Sequence, residues 1–320
     1  MNTPAVTGIH HVTAITADAQ KNIDFYTGVL GLRLVKLTVN FDDPSSYHLY
    51  YGDELGRPGT IMTFFVWPGI ARGRIGPPQV SAAAFAIPST ATQFWVDRLR
   101  ERGAEGVEQS ERFGERVITI LDPDGMQIDL IGVKRVAGDP WAKSDVPQEH
   151  AIRGFASVTI SEEGYERTAD LLTSVMGFFE EASEGNRFRY RARTESPENF
   201  ASTINLLCVP DARHGLMGGG IVHHIAFRTP DDAQQKQWRE IVADAGFNVS
   251  PVMDRKYFHS IYFREPGGVL FEIATDAPGF TVDEPAELLG SSLMLPPQYE
   301  AHRDAIVQML PKVKLPAEPA

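Results

Sequence analysis

One pattern recurs four times along this chain and limits the folds open to it. A strand, an amphipathic helix ending near a glycine, and then two or three strands return about every 60 to 75 residues. Copy one runs from about residue 7 to 68, with its helix over Ala19 to Leu30 and Gly31 placed to end it. Copy two covers about 79–133, with a helix from Ala91 to Arg102 and Gly103 behind it. The third copy spans about 153–210 with Gly177 after its helix, and the fourth about 221–275 with Gly246. A glycine just past an apolar-periodic helix is the expected left-handed cap. The last strands repeat as well: Asp122-Pro-Asp-Gly-Met-Gln-Ile-Asp-Leu130 matches Glu265-Pro-Gly-Gly-Val-Leu-Phe-Glu-Ile273, a tight turn feeding a strand with Asp129 or Glu272 at one offset. Pro58-Gly-Thr-Ile-Met-Thr-Phe-Phe65 is a third version, and aligning the proline-glycine steps puts Phe64 at the place of the acid.

The copies group along the chain as an N-terminal pair within 1–140 and a C-terminal pair within 150–275. Residues 276–320 fall outside the repeat. There Leu295-Pro-Pro-Gln-Tyr299 and a helix to Leu310 read as an appendage packed over the rest, with a lid or an oligomer contact as the sharper role. A chain of 320 residues with 42% hydrophobic content has material for one or two buried cores. No span reaches the roughly 18 uninterrupted apolar residues of a membrane helix. The start, Met1-Asn-Thr-Pro-Ala-Val-Thr7, lacks the basic and apolar regions of a secretory signal, so a cytoplasmic protein is expected. The one cysteine, Cys208, cannot form an internal disulfide and reads as a buried structural thiol. A formal charge of -12 without Lys/Arg clusters argues against nucleic acid and anionic membranes as partners.

Chemistry concentrates in two double histidines on strand-like runs, His10-His11 and His223-His224, and in the acid Glu272. Two imidazoles and one carboxylate from separate strands form a ligand set that holds one face of a metal and leaves other positions open, as in non-haem iron(II) oxygenases. Neighbouring side chains on a strand point to opposite faces, so only one histidine of each pair aims into a given barrel. Alternation does not choose between them, because His10-Val12-Ala14 and Ile9-His11-Thr13 are about equally apolar. Copies two and three carry Val80-Ser-Ala-Ala-Ala84 and Gly154-Phe-Ala-Ser-Val158 instead, which leaves Asp129 without imidazole partners. There is no His-Glu-x-x-His helix, no Cys-x-x-Cys, no phosphate-cradling glycine loop and no nucleophile elbow.

Five stretches carry a family resemblance: Gly8-Ile-His-His-Val-Thr13, Tyr47-His-Leu-Tyr-Tyr-Gly-Asp-Glu-Leu-Gly-Arg-Pro-Gly-Thr60, Glu184-Gly-Asn-Arg-Phe-Arg-Tyr190, Gly220-Ile-Val-His-His-Ile-Ala-Phe227 and Tyr257-Phe-His-Ser-Ile-Tyr-Phe-Arg-Glu-Pro-Gly-Gly268. With the repeats, they resemble the vicinal oxygen chelate superfamily of glyoxalases, bleomycin-resistance proteins and extradiol dioxygenases. Within it the chain is most similar to hydroquinone-type ring-cleaving dioxygenases. The resemblance implies an α+β fold of four βαβββ modules forming two half-open mixed β-barrels with helices on the outside. It implies that the second histidine of each pair ligates the metal, which maps to His11 and His224, with Glu272 as third ligand. The ligands then come from copies one and four, so those two share the metal barrel and copies two and three form the other.

The implied metal is Fe(II), with Mn(II) as the alternative, and the implied partners are a small aromatic substrate, hydroquinone or catechol-like, and dioxygen. Tyr262 matches a tyrosine that relatives place in the pocket as a hydrogen-bond donor or acid, while His10 and His223 reach the substrate or the ligands if their strands bend. Met62 and Phe64 read as an apolar wall for the ring, Arg255 and Lys256 as solvated loop charges, with pairing to the second ring hydroxyl or a substituent as the sharper role, and His48, His150, His214 and His302 as structural or exposed. Exposed barrel edges suggest a homo-oligomer. Glyoxalase-type isomerases usually add an acidic fourth ligand where this chain has Phe64, which counts against a metal-dependent lyase or isomerase. An intact ligand set counts against the third reading, a non-catalytic binder of small aromatics.

Overall fold

In the computed structural model, which describes residues 4, 6–135, 137–193 and 200–316, every copy of the repeat folds as a strand, a helix and three further strands. Copy one gives β1 (Ile9–Thr16), α1 (Ala19–Ile23), β2 (Arg33–Asn40), β3 (Asp43–Gly52) and β4 (Ile61–Val66). Copy two gives β5 (Gln79–Pro88), α2 (Thr92–Glu101), β6 (Glu105–Arg112), β7 (Glu115–Leu121) and β8 (Gln127–Val133). Copy three gives β9 (Phe155–Glu162), α3 (Glu166–Asp170), β10 (Phe178–Glu184), β11 (Arg187–Ala192) and β12 (Thr203–Cys208). Copy four gives β13 (Val222–Thr229), α4 (Asp232–Asp244), β14 (Met253–Asp254), β15 (Phe258–Arg264) and β16 (Leu270–Pro278). Asp18 and Asp231 start α1 and α4 by accepting backbone N–H bonds of the first turn. The odd-numbered helices α1 and α3 run on into π-helical turns, Asp24–Val29 and Leu171–Val175. Behind each helix, Gly31, Gly103, Gly177 and Gly246 take φ values of 71, 68, 81 and 90°, where a side chain would be strained.

The strands form two eight-stranded sheets, ordered β14-β15-β16-β13-β1-β4-β3-β2 and β10-β11-β12-β9-β5-β8-β7-β6. The outermost copies of the chain therefore share one sheet and the inner two share the other, each pair joined by antiparallel first strands. Outer sheet faces and helices enclose the main core, where Tyr26, Trp95, Leu172 and Trp238 are fully buried. Each such side chain contributes about 1.5–3 kcal/mol by leaving water. The inner face of the first sheet holds a separate cluster of Val35, Tyr50, Ile61, Tyr257, Phe258 and Phe280. Inside the second sheet, Arg112 pairs with Asp129 at 2.5 Å, and Thr119 and Gln127 add hydrogen bonds to the same carboxylate.

Polar latches tie the two sheets together. The acid that opens each copied turn is buried: Asp122 accepts the amides of Asp124 and Met126 and the Tyr26 hydroxyl, while Glu265 accepts those of Gly267 and Val269 and the Thr168 hydroxyl. In both cases the hydroxyl comes from the helix of the preceding copy, which covers the other sheet. The appendage seals the β2 edge of the first sheet: Met294 N–H donates to Leu37 O at 2.9 Å, Tyr299 to Phe41 O at 2.8 Å, and Tyr47 to Pro311 O at 3.0 Å. Fully buried Lys36 reaches into it, bonding Asp283 at 2.7 Å and also Glu284. Cys208 is half-buried rather than buried, because it ends an inner strand at the sheet rim and bonds Glu163 O through Sγ at 3.5 Å. No helix among the described residues is long and apolar enough to cross a membrane.

Burial pushes the Asp122 carboxyl up from 3.8 to about 7, with Asp124 adding to the rise and the two amides opposing it. A folded pKa above the unfolded one means that the native state holds the extra proton, so this group's contribution to stability is full below about pH 4 and is lost as pH rises to 7. Asp122→Asn keeps the acceptor for both amides and removes the charge. The variant should therefore be more stable than wild type at pH 8, by up to about 4 kcal/mol, and nearly equal at pH 4, as urea unfolding at the two pH values would show.

Candidate metal centre

Both double histidines sit at β-bulges. On β1 the register passes from Ile9↔Phe227 to His11↔Ala226, and on β13 it passes from Thr13↔His224 to Ala14↔Val222, so His10 and His223 are the extra residues. A bulge re-aims the side chains beside it, which lets adjacent imidazoles touch instead of pointing to opposite faces. His10 Nδ1 lies 2.9 Å from His11 Nδ1, and His223 Nδ1 lies 2.8 Å from His224 Nδ1. The Thr275 carbonyl, 3.1 Å from His10 Nε2, can only accept, so His10 carries its proton on Nε2. Its Nδ1 then accepts from His11 Nδ1–H, and His11 Nε2 is left with a bare lone pair. Desolvation, then the neighbouring His11, holds His10 well below the usual histidine range and keeps it neutral. Burial, then His224, drives His223 to about 3.

His11 Nε2 and its counterpart, His224 Nε2, converge on Glu272, which the parallel β13–β16 register sets opposite Ala226. His11 Nε2 and His224 Nε2 lie 3.3 and 2.9 Å from Glu272 Oε2 and 3.3 Å from each other. That is the spacing of three donors on one face of an ion with bonds of about 2 Å. Ser260 Oγ bonds Glu272 Oε1, but Oε2 is buried without a hydrogen-bond partner. A buried charged oxygen beside two imidazole nitrogens that make it no hydrogen bond is costly, and a cation among the three answers all of them. Among the described residues this trio is the one cluster with metal-ligand spacing.

Above the trio opens a cavity of about 250 Å³ whose walls include Phe65, Trp67, Phe258 and Leu270. Clefts for drug-sized ligands run to roughly 300–1,000 Å³, so this one suits a single ring. Of the other residues singled out in the sequence, His223 and Tyr262 stand on the wall, whereas His10 lies behind His11. Of the two readings of Arg255, the solvated loop charge gives way: it is a wall residue, bonding the Tyr262 hydroxyl through Nε at 3.3 Å and Asp42 through Nη1 at 3.1 Å. His48, expected to be structural or exposed, also faces the cavity, with Nε2 2.8 Å from Thr63 Oγ1 and Nδ1 2.9 Å from the Tyr50 hydroxyl.

Met62 and Phe64 do not form the ring-accepting wall; both are fully buried in the core on the opposite face of β4. The proline-glycine alignment is one residue out, because the turn of copy one is shorter. The register gives Thr13↔Thr63 in β1–β4 where β13–β16 has Ala226↔Glu272, so Thr63 holds the place of the acid, and a one-residue slip on a strand reverses the face. Thr63 Oγ1 bonds Thr13 Oγ1 at 2.9 Å. In the second barrel the same register puts Ala82 and Ser157 at the ligand positions.

The family model for the Glyoxalase/Bleomycin resistance protein/Dioxygenase superfamily matches residues 8–130 and 154–273. The chain is 48% identical over 303 residues to the Bacillus subtilis "Putative ring-cleaving dioxygenase MhqO", covering 95% of both chains. It is 35% identical over 312 residues to the Sphingobium indicum chlorohydroquinone/hydroquinone 1,2-dioxygenase, covering 95% of this chain and 96% of that one. A crystal structure of a dioxygenase from Bacillus subtilis, itself described as "putative", superposes with a TM-score of 0.93 at 46% identity, covering 98% of this chain and 99% of that one.

The donor set leads to a direct binding prediction. Adding Mn(II) anaerobically to metal-free protein should raise its melting temperature by several degrees, since a hundredfold excess over Kd is worth about 2.7 kcal/mol. Glu272→Gln, which keeps the shape and loses the charge, should abolish most of that rise in differential scanning calorimetry.

Proposed function

The chain belongs to the Glyoxalase/Bleomycin resistance protein/Dioxygenase superfamily, and on that footing we propose that it is an iron(II)-dependent ring-cleaving dioxygenase acting on a hydroquinone-type ring. His11, His224 and Glu272 are the ligands in this reading, and the observation that carries it is the unpartnered, fully buried Glu272 Oε2 facing two imidazole Nε2 atoms beneath an aromatic-lined cavity. A bound iron(II) ion supplies open positions for a ring oxygen and dioxygen and a path for electrons between them; manganese(II) takes the same ligands.

The protein's own residues do the rest. Two neutral imidazoles and one carboxylate would hold a divalent ion at one net positive charge, which would favour a substrate carrying a single ring oxyanion. His10, anchored on the Thr275 carbonyl, fixes the ring orientation of His11 and makes its Nε2 a better donor. His223, joined to His224 through Nδ1, holds the orientation of that ring and lines the cavity. Arg255 can only donate, so Tyr262 accepts from it and retains a proton to give. Phe65, Trp67 and Phe258 hold a flat ring and exclude water. With Thr63 at the remaining ligand place, there is no second carboxylate of the kind an isomerase needs to move protons.

The test is oxygen uptake by anaerobically purified, iron-loaded protein given hydroquinone, methylhydroquinone or catechol. One dioxygen should be consumed per ring lost, fastest with a hydroquinone, and Glu272→Gln should lower the rate by at least about a hundredfold. His10→Phe, which leaves every ligand in place, should weaken metal binding by about 10–100-fold in a chelator competition. Tight aromatic binding without oxygen uptake at any iron loading would make the protein a binder instead.

A further inference from the structure

The two halves of the first sheet repeat each other, and the repeat extends beyond the proposed ligands. On β15–β16, Tyr262 stands opposite Glu272; on β3–β4, Tyr50 stands opposite Thr63, which holds the place of Glu272. Tyr50 and Tyr262 are therefore counterparts on the two sides of one cavity, and both line it. Their hydrogen bonds have opposite polarity. Tyr262 accepts from Arg255, whereas the Tyr50 hydroxyl lies 2.9 Å from Nδ1 of His48, whose Nε2 lies 2.8 Å from Thr63 Oγ1.

A phenol is a far better proton donor than a neutral imidazole, so Tyr50 gives its proton to Nδ1. His48 then donates through Nε2 to Thr63, and Thr63 donates to Thr13 Oγ1 at 2.9 Å. This chain uses both ring nitrogens of His48 and leaves lone pairs on the Tyr50 oxygen. Burial supports these protonation states, holding His48 well below and Tyr50 well above their ordinary ranges. The imidazole also packs at a tilt against Tyr50 and Phe65, with ring centroids 4.1 and 4.5 Å away, which limits its rotation.

We propose that Tyr50 contacts the substrate as a hydrogen-bond acceptor for a second, protonated ring hydroxyl, and that His48 is the positioning residue that keeps it an acceptor. The assignment rests on reading the cavity as a ring-cleaving site and deepens it: the substrate carries one oxygen to the metal and a second hydroxyl across the ring. A ring with a single hydroxyl leaves the Tyr50 oxygen unmet, and a ring with an ether there sets two acceptors against each other.

Equilibrium binding of hydroquinone, phenol and 4-methoxyphenol to anaerobic, metal-loaded protein tests this. Wild type should bind hydroquinone about tenfold tighter than phenol, the size of one hydrogen bond left unmade, and Tyr50→Phe should reduce that preference to about threefold or less, a ratio that a general loss of stability does not move. His48→Phe keeps an aromatic ring against Tyr50 and Phe65 and frees the Tyr50 proton to turn inward, so 4-methoxyphenol, which can only accept there, should bind several-fold tighter than it does to wild type. An unchanged hydroquinone-to-phenol ratio in Tyr50→Phe, or no gain for 4-methoxyphenol in His48→Phe, overturns the assignment even if wild type cleaves hydroquinone. Absence of both hydroquinone binding and oxygen uptake in wild type overturns the ring-cleaving reading and this inference together.

Discussion

A buried carboxylate oxygen without a hydrogen bond, facing two imidazole nitrogens, is the constraint on which the rest of this molecule turns. Like-signed donors at about 3 Å repel, and the fold holds them there by means that operate well outside the trio. Register between β1 and β13 sets the two histidines side by side, and a bulge on each strand turns its pair so that neighbouring imidazoles bond through Nδ1. A backbone carbonyl on β16, from Thr275, then decides the tautomer of His10 and through it that of His11. The doubled histidine is thus one functional unit, in which the first ring makes the second a directed donor.

The second sheet repeats the backbone of the first with different chemistry at the same positions. Ala82 and Ser157 replace the imidazoles, and bulges recur beside them, at Ser81 and Ala156. Asp129 holds the place of Glu272, and there the charge is met from within the chain by Arg112. One scaffold thus presents a buried acid twice, closed by an arginine in one barrel and left to two imidazoles in the other. Strand register alone accommodates both, which is why function has to be read from the site and not from the architecture.

Much of this was legible in the sequence because the signals were long-range and repeated. Four glycine-capped helices and three copies of one turn define the modules, and histidines confined to copies one and four point to those copies meeting. What escaped depends on a single residue of register or on contacts between remote segments. Phe64 and Thr63 differ by one position, and only the pairing of β4 with β1 shows that the shorter turn of copy one moves Thr63 onto the inner face. His48 has no histidine neighbour in the chain; its place in the cavity comes from β3 lying beside β4, with Tyr50 and Thr63 as its partners. Arg255 looked like a loop charge because Asp42, its partner, lies 213 residues away in sequence.

Arg255 also shows why the appendage belongs with the site. The next residue, Lys256, has φ of 65°, a left-handed conformation that costs a non-glycine residue on the order of 1–3 kcal/mol unless its surroundings impose it. Asp254 accepts the Lys256 N–H at 2.7 Å, while Lys256 Nζ bonds the Leu295 carbonyl at 3.1 Å and pairs with Asp283 at 2.6 Å. Asp283 is shared with Lys36, buried on β2, so the appendage is pinned to the sheet by the same carboxylate that holds the strained turn. The turn sends the Arg255 side chain inward to Tyr262 and Asp42. A segment outside the repeated modules therefore helps to fix the one arginine on the described cavity wall, and contacts from residues beyond 278 add to that of Asp254 in offsetting the strain at Lys256.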